Sequence, residues 1–161
     1  MARQVFFSFH FDNDYWRTQT VRNINALSGQ KIVSSNDWEE VKQNGDPAVR
    51  RWIDGQLERK SCLVVLVGEK TAQRKWVKYE IEKAWNAGKG VLGIHINKLK
   101  DKDGNASSKG ENPFSQFSLD GGGKMSDHAP MKTPTGSTSK ETYQTIADNI
   151  EAWIEEAISA R

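Results

Sequence analysis

One cysteine, Cys62, is all the sequence holds, so no disulfide can close within the chain. It sits in an apolar run, where a lone thiol behaves as a small buried hydrophobe, as suits a reducing compartment. Long hydrophobic stretches are missing as well. No run approaches the roughly 20 apolar residues that a helix needs to cross a bilayer. The apolar run after Arg3 is too short for a signal peptide. The expectation is a cytoplasmic protein with no membrane contact. Neither sign of charge dominates: Lys+Arg number 23 and Asp+Glu 21, for a net charge of +2. That balance argues against nucleic acid as the main partner, which usually calls for a basic patch. The local group Arg50, Arg51, Arg59 and Lys60 reads as a solvated helix face. Glycine-rich phosphate loops of the P-loop or Rossmann kind follow no strand, and there is no nucleophile-elbow serine. His10, His95 and His128 have no ligand spacing with one another or with Cys62, so no metal is expected. His95 falls within a strand and reads as a satisfied core or strand-end residue.

What the sequence does hold is a series of short apolar runs divided by polar ones. With 161 residues it fits one domain, 1–161. Residues 4–9 (QVFFSF) read as a strand buried on both faces. Asp14 can cap a helix over 15–27 that places Trp16, Thr20, Ile24 and Leu27 along one face. Residues 31–33 suggest a short second strand, and 34–45 a loop with a helical turn at 38–41. Asp46-Pro47 starts a helix to about residue 59, with Val49, Trp52, Ile53 and Leu57 in helical spacing. Residues 62–67 (CLVVLV) form the clearest strand, 75–87 a helix, and 91–96 (VLGIHI) another strand. Residues 98–136 break the pattern as an irregular insertion, pinned by Phe114, Phe117 and Met125, with a flexible loop at Gly121–Gly123. Thr138 and Glu141 form a capping-box pattern for a last helix over 138–160. The alternation predicts an α/β fold: a doubly wound, mostly parallel sheet with helices on both faces.

In such a sheet, ligands bind beyond the carboxyl ends of the strands, where the strand order reverses. A strand order 2-1-3-4 puts that point between the first strand and CLVVLV. The loops there supply Phe9, His10, Phe11 and Thr71 as substrate-binding candidates. The following helix carries Trp76 and, one turn on, Glu80 at the border of its buried face. A carboxylate beside an aromatic at a cleft mouth suits a cationic sugar-like transition state, since cleaving an N-glycosidic bond builds positive charge on the ribose. The competing reading is a solvated glutamate paired with Lys78 or Lys83.

The strings Val5-Phe6-Phe7-Ser8-Phe9-His10, Arg22-Asn23 and Trp76-Val77-Lys78-Tyr79-Glu80-Ile81 resemble the Toll/interleukin-1 receptor (TIR) family. With Gly93-Ile94-His95-Ile96-Asn97 and Asn112-Pro113-Phe114, they resemble more narrowly its ThsB branch in the bacterial Thoeris antiphage systems. The likeness runs through most of the chain up to Phe114. It implies a flavodoxin-like fold that cleaves NAD+ as substrate, with no further cofactor and with Glu80 as the catalytic glutamate four positions after Trp76. Many TIR domains have cysteine directly after that tryptophan; here it is Val77. The loop that often closes over the site maps to about 34–43, with Asp37 and Trp38 as its contact candidates. The resemblance also implies a cyclic, conjugated or linear ADP-ribose signal reaching a separate effector protein, and a homo-oligomer through TIR contacts. Three alternatives stand beside it: an idle TIR interaction module, a nucleoside-deoxyribosyltransferase-like enzyme, and a phosphoreceiver. The phosphoreceiver comes last, because CLVVLV ends in Gly68-Glu69-Lys70 without the aspartate that class needs.

Overall fold

The computed structural model describes residues 3–27, 29–30 and 35–161, without the side chains of 35–37. The strand expected at 31–33 lies outside the described residues. So, therefore, does the reversal of strand order on which the expected switch point rests.

The described sheet is built from four parallel strands in the order β1 (Val5–Ser8), β2 (Cys62–Val67), β3 (Gly90–His95) and β4 (Met131–Lys132). Phe6 lies opposite Leu63, Val64 opposite Leu92, and Gly93 opposite Met131. Successive side chains leave a strand on opposite faces, which explains why β1 to β3 carry apolar residues without alternation. Val5, Phe7, Val64, Leu66 and Ile94 pack on one face, together with Val21, Ile146 and Ile150. Phe6, Leu63, Val65, Val67 and Val91 pack on the other, with Ile53, Val77 and Ile81. Helices α1 (Phe11–Arg22) and α5 (Ser139–Ser159) cover the first face; α3 (Asp46–Leu57) and α4 (Lys75–Asn86) cover the second. This is the doubly wound, flavodoxin-like α/β architecture that the sequence predicts.

Several elements differ from expectation. Helix α1 starts four residues before the expected Tyr15 and stops at Arg22; a single 3-10 turn then holds Asn25–Leu27. Asp14 is therefore inside the helix rather than its cap. Its buried side is largely polar, with Asp14, Arg17 and Thr18 beside the apolar Val21, while Trp16 is 55% exposed. The cause is an internal ion pair. Arg17 Nη1 lies 2.9 Å from Asp14 Oδ1, and its Nε and Nη2 donate to the carbonyls of Leu99 and Asn105 at 2.8 Å. A charge that is paired and hydrogen-bonded can be buried; an unpaired one cannot.

The loop expected at 34–45, with a helical turn at 38–41, instead holds a full helix, α2 (Ser35–Gln43). Trp38 and Val41, three apart, turn to the second core face, and Trp38 meets the Trp52 ring at 6.2 Å. The 98–136 segment supplies the unexpected β4 and two 3-10 turns. Phe114 and Met125 are fully buried and Phe117 packs beside them. A Cβ on Gly93 would run into Met131 and, at 2.9 Å, into the Phe114 ring, so glycine lets the segment pack against β3. The Gly121–Gly123 stretch is a tight turn rather than a flexible loop: Leu119 and Gly123 hydrogen-bond, and Ser118 bridges Lys124 antiparallel. The first part of the segment runs over the carboxyl ends of β2 and β3. There Ser107 N donates to Asn97 O, and Gln116 to Ala72 O. Thr138 caps α5, accepting from Glu141 N at 3.1 Å. His95 is buried, but its Nδ1 has no partner among the described residues, unlike the satisfied histidine expected. No described helix is long and apolar enough to cross a membrane.

Candidate active site

Ser8 ends β1 and shares the strand face of Phe6, two positions earlier, so its hydroxyl points under α4. Helix α4 buries Val77, Glu80, Ile81 and Ala84 on the side facing the sheet, where it packs on β2 and β3. The three- and four-residue spacings put Glu80 within this buried stripe, not at its border as expected. The two meet: Ser8 Oγ donates to Glu80 Oε1 at 2.7 Å. Glu80 is only 7% exposed. Among the described residues it has no cation partner; Lys83, a partner proposed for it from sequence, lies 3.8 Å from Asp54 instead. Burial pushes the Glu80 carboxyl up to about 8, against the opposing pull of the Ser8 hydrogen bond. Near neutral pH the free protein therefore holds Glu80 mostly as the neutral acid.

Above this carboxyl opens a cleft of about 260 Å³. Its walls include Phe9, His10 and Phe11 from the end of β1 and the start of α1, Trp38 from α2, and Trp76 from α4. Of the sequence-predicted residues, the structure thus brings Glu80, Phe9, His10, Phe11, Trp38 and Trp76 to one cavity. The Phe9 and Phe11 rings stack at 5.3 Å, and Tyr15 continues the row 4.9 Å from Phe11. The Trp76 ring meets Tyr79 edge-on at 5.7 Å, and Lys75 Nζ stands 4.8 Å over it. His10 Nδ1 is buried without a partner among the described residues. Burial first, then the nearby Arg74 charge, hold the His10 imidazole below its ordinary range.

Thr71 does not belong to the cavity. It is fully buried in the turn after β2, where its Oγ1 accepts from Gly68 N at 2.8 Å. Its work is to shape that turn: the hydroxyl satisfies an amide that the strand ladder leaves over. The side chain of Asp37 lies outside the described residues. Sequence reasoning passed over Ser8, Trp52, Lys42, Arg74 and Lys75, all at or beside the cleft. Ser8 had a readable signal, as the one hydroxyl in an otherwise apolar strand, in phase with Phe6. The basic residues had none, since surface cations look alike in sequence.

An apolar, aromatic-walled cleft with one buried, unpaired carboxyl at its floor suits a flat cationic ring joined to a polar sugar. Among the described residues, no group of His, Cys, Asp and Glu comes together to hold a metal. The family described as "Thoeris protein ThsB, TIR-like domain" matches residues 6–101, from β1 past β3, and so spans Ser8, the cleft and Glu80. The chain belongs to that family. A relative from Bacillus cereus (strain MSX-D12), named "Putative cyclic ADP-D-ribose synthase ThsB1", is 43% identical over 130 residues. The match covers 75% of this chain and 68% of the relative. The family match ends as the 98–136 segment begins.

Proposed function

We propose that this protein cleaves the N-glycosidic bond between nicotinamide and ribose in NAD+ and releases an ADP-ribose-derived signal in antiphage defence. The observation that carries the reading is the Ser8–Glu80 pair, a buried carboxyl with no described cation beside it, on the floor of the aromatic cleft. The name of the Bacillus cereus relative supports it.

In the reaction the bond between ribose C1 and the pyridinium nitrogen breaks. Its electron pair goes to the ring, and nicotinamide leaves neutral. Positive charge moves to the ribose, where the Glu80 carboxylate stabilises it. The carboxyl must first lose its proton. The cationic ring of the substrate, held in a water-poor cleft, favours the ionised form as an opposite charge does. Ser8 then donates to one carboxylate oxygen and leaves the other free to face the sugar. Water, or a nucleophile within the substrate, completes the exchange at C1 and gives up a proton. The aromatic walls keep bulk water from the cation until that partner is in place. The diffusible product then reaches a separate effector protein, and self-association through TIR contacts raises the activity.

The test is direct: incubate the purified protein with NAD+ and identify products by mass. Free nicotinamide together with an ADP-ribose isomer supports the reading; intact NAD+ over a wide range of protein concentration and pH sinks it.

A further inference from the structure

Among the described residues, three cations stand at the cleft: Lys42, Arg74 and Lys75. Two are engaged. Lys75 pairs with Asp46 and stands over Trp76; Lys42 lies 3.6 Å from Glu39 and 5.8 Å from the centre of the Trp38 ring. Arg74 differs. Among the described residues its guanidinium has neither a carboxylate within ion-pair distance nor a hydrogen-bond acceptor, although it lines the cavity. Neighbouring carboxylates are engaged elsewhere: Glu69 accepts from Ser108 N, Asp46 holds Lys75, and Glu80 accepts from Ser8. Its charge nevertheless reaches into the cleft, since it helps lower the His10 pKa.

Resting on the NAD+ reading above, we propose that Arg74 is the anchor for the substrate's diphosphate. It thereby selects dinucleotide over phosphate-free nicotinamide nucleosides. Arg74 precedes α4, and Glu80 lies six residues further along. At about 1.5 Å of rise per residue the two are roughly 9 Å apart along the helix axis, a span that one ribose with its 5′-phosphate can cover. With the anomeric carbon at Glu80, the phosphates then fall at the mouth, where Arg74 waits with its donors unspent. A guanidinium offers a planar fork of N–H groups that matches phosphate oxygens two at a time. Spent lysines cannot supply this without breaking existing pairs. Placing the anion at the mouth and the cationic ring at the buried carboxyl also sets the direction in which the substrate enters.

The experiment compares nicotinamide release from NAD+ and from nicotinamide riboside, which has the same scissile bond and no phosphate. Wild type, Arg74→Gln and Arg74→Lys are measured at one fixed high protein concentration. Expected is a fall of at least tenfold in the ratio of kcat/KM for NAD+ to that for the riboside in Arg74→Gln. The loss should sit mainly in KM, and Arg74→Lys should recover part of it. Equal losses on both substrates would show a structural role and overturn the anchor, as would an unchanged ratio; in either case the NAD+ reading stands. A wild type that releases nicotinamide from neither substrate overturns both.

Discussion

Glu80 and Ser8 make a two-residue device whose pH behaviour follows from burial. The Glu80 carboxyl titrates near 8 in the folded protein and near its ordinary 4.5 when unfolded. Between those values the folded state binds the extra proton, so this group's contribution to stability is complete below about 4.5. It is lost as pH rises through 8. The expected difference between wild type and Glu80→Gln, followed by thermal melts from pH 4 to 9, is a relative loss in wild type on the order of a few kcal/mol. His95 runs the other way. Burial holds it near 4, so its contribution grows as pH rises from 4 to 6.5; it cancels in the comparison because both proteins keep it. A flat difference curve would mean that Glu80 is not the buried acid described. In the proposed reaction the same group should set the rising limb of kcat/KM for NAD+, near pH 8 in the free protein. Removing the Ser8 hydroxyl removes a hydrogen bond that favours the carboxylate. Ser8→Ala should therefore move that limb upward by about one pH unit, and an unmoved limb would detach Ser8 from the chemistry. Glu80 and Trp76 were legible from a four-residue spacing on a helix. The depth of Glu80 was not, because the 3.6-residue period fixes a residue's direction on a helix but not what is packed over it.

At the scale of elements, strands β2 and β3 were plain in sequence because both of their faces are covered, which leaves unbroken apolar runs. β4 was not, since two residues pairing with Gly93 and Ile94 carry no period at all. Helix α1 misled for a different reason. Its inner face is held by the Asp14–Arg17 pair, and a pattern read from apolar residues alone turns such a helix the wrong way. That pair also ties the 98–107 stretch to α1 through the Leu99 and Asn105 carbonyls. Arg17→Met should leave Asp14 buried without its partner and cost about 3–5 kcal/mol in urea unfolding. The Ser107 amide, which donates to Asn97, should exchange faster with solvent. A loss below about 1 kcal/mol would show that water replaces the guanidinium readily. At the other end, Thr138→Ala should cost about 1 kcal/mol, because the first turn of α5 loses its acceptor for Glu141 N.

The molecule as a whole places a reactive floor on its rigid sheet and builds the cleft walls from neighbouring helices. Trp38 contributes from α2, whose described contacts run to α3 and the Trp52 ring. If contact with a second copy completes that wall, as the proposed self-association requires, specific activity should rise with protein concentration in a dilution series. A flat series would mean that one chain carries a complete site. The whole account turns on a single carboxyl, and Glu80→Gln tests it most directly, because glutamine keeps the shape and the Ser8 hydrogen bond while removing the negative charge. The measurement is nicotinamide release from NAD+ by mass spectrometry, alongside a melt showing that the variant is folded. Expected is a folded protein whose release falls by at least a thousandfold, roughly 4 kcal/mol of barrier. A folded variant with undiminished release would contradict it.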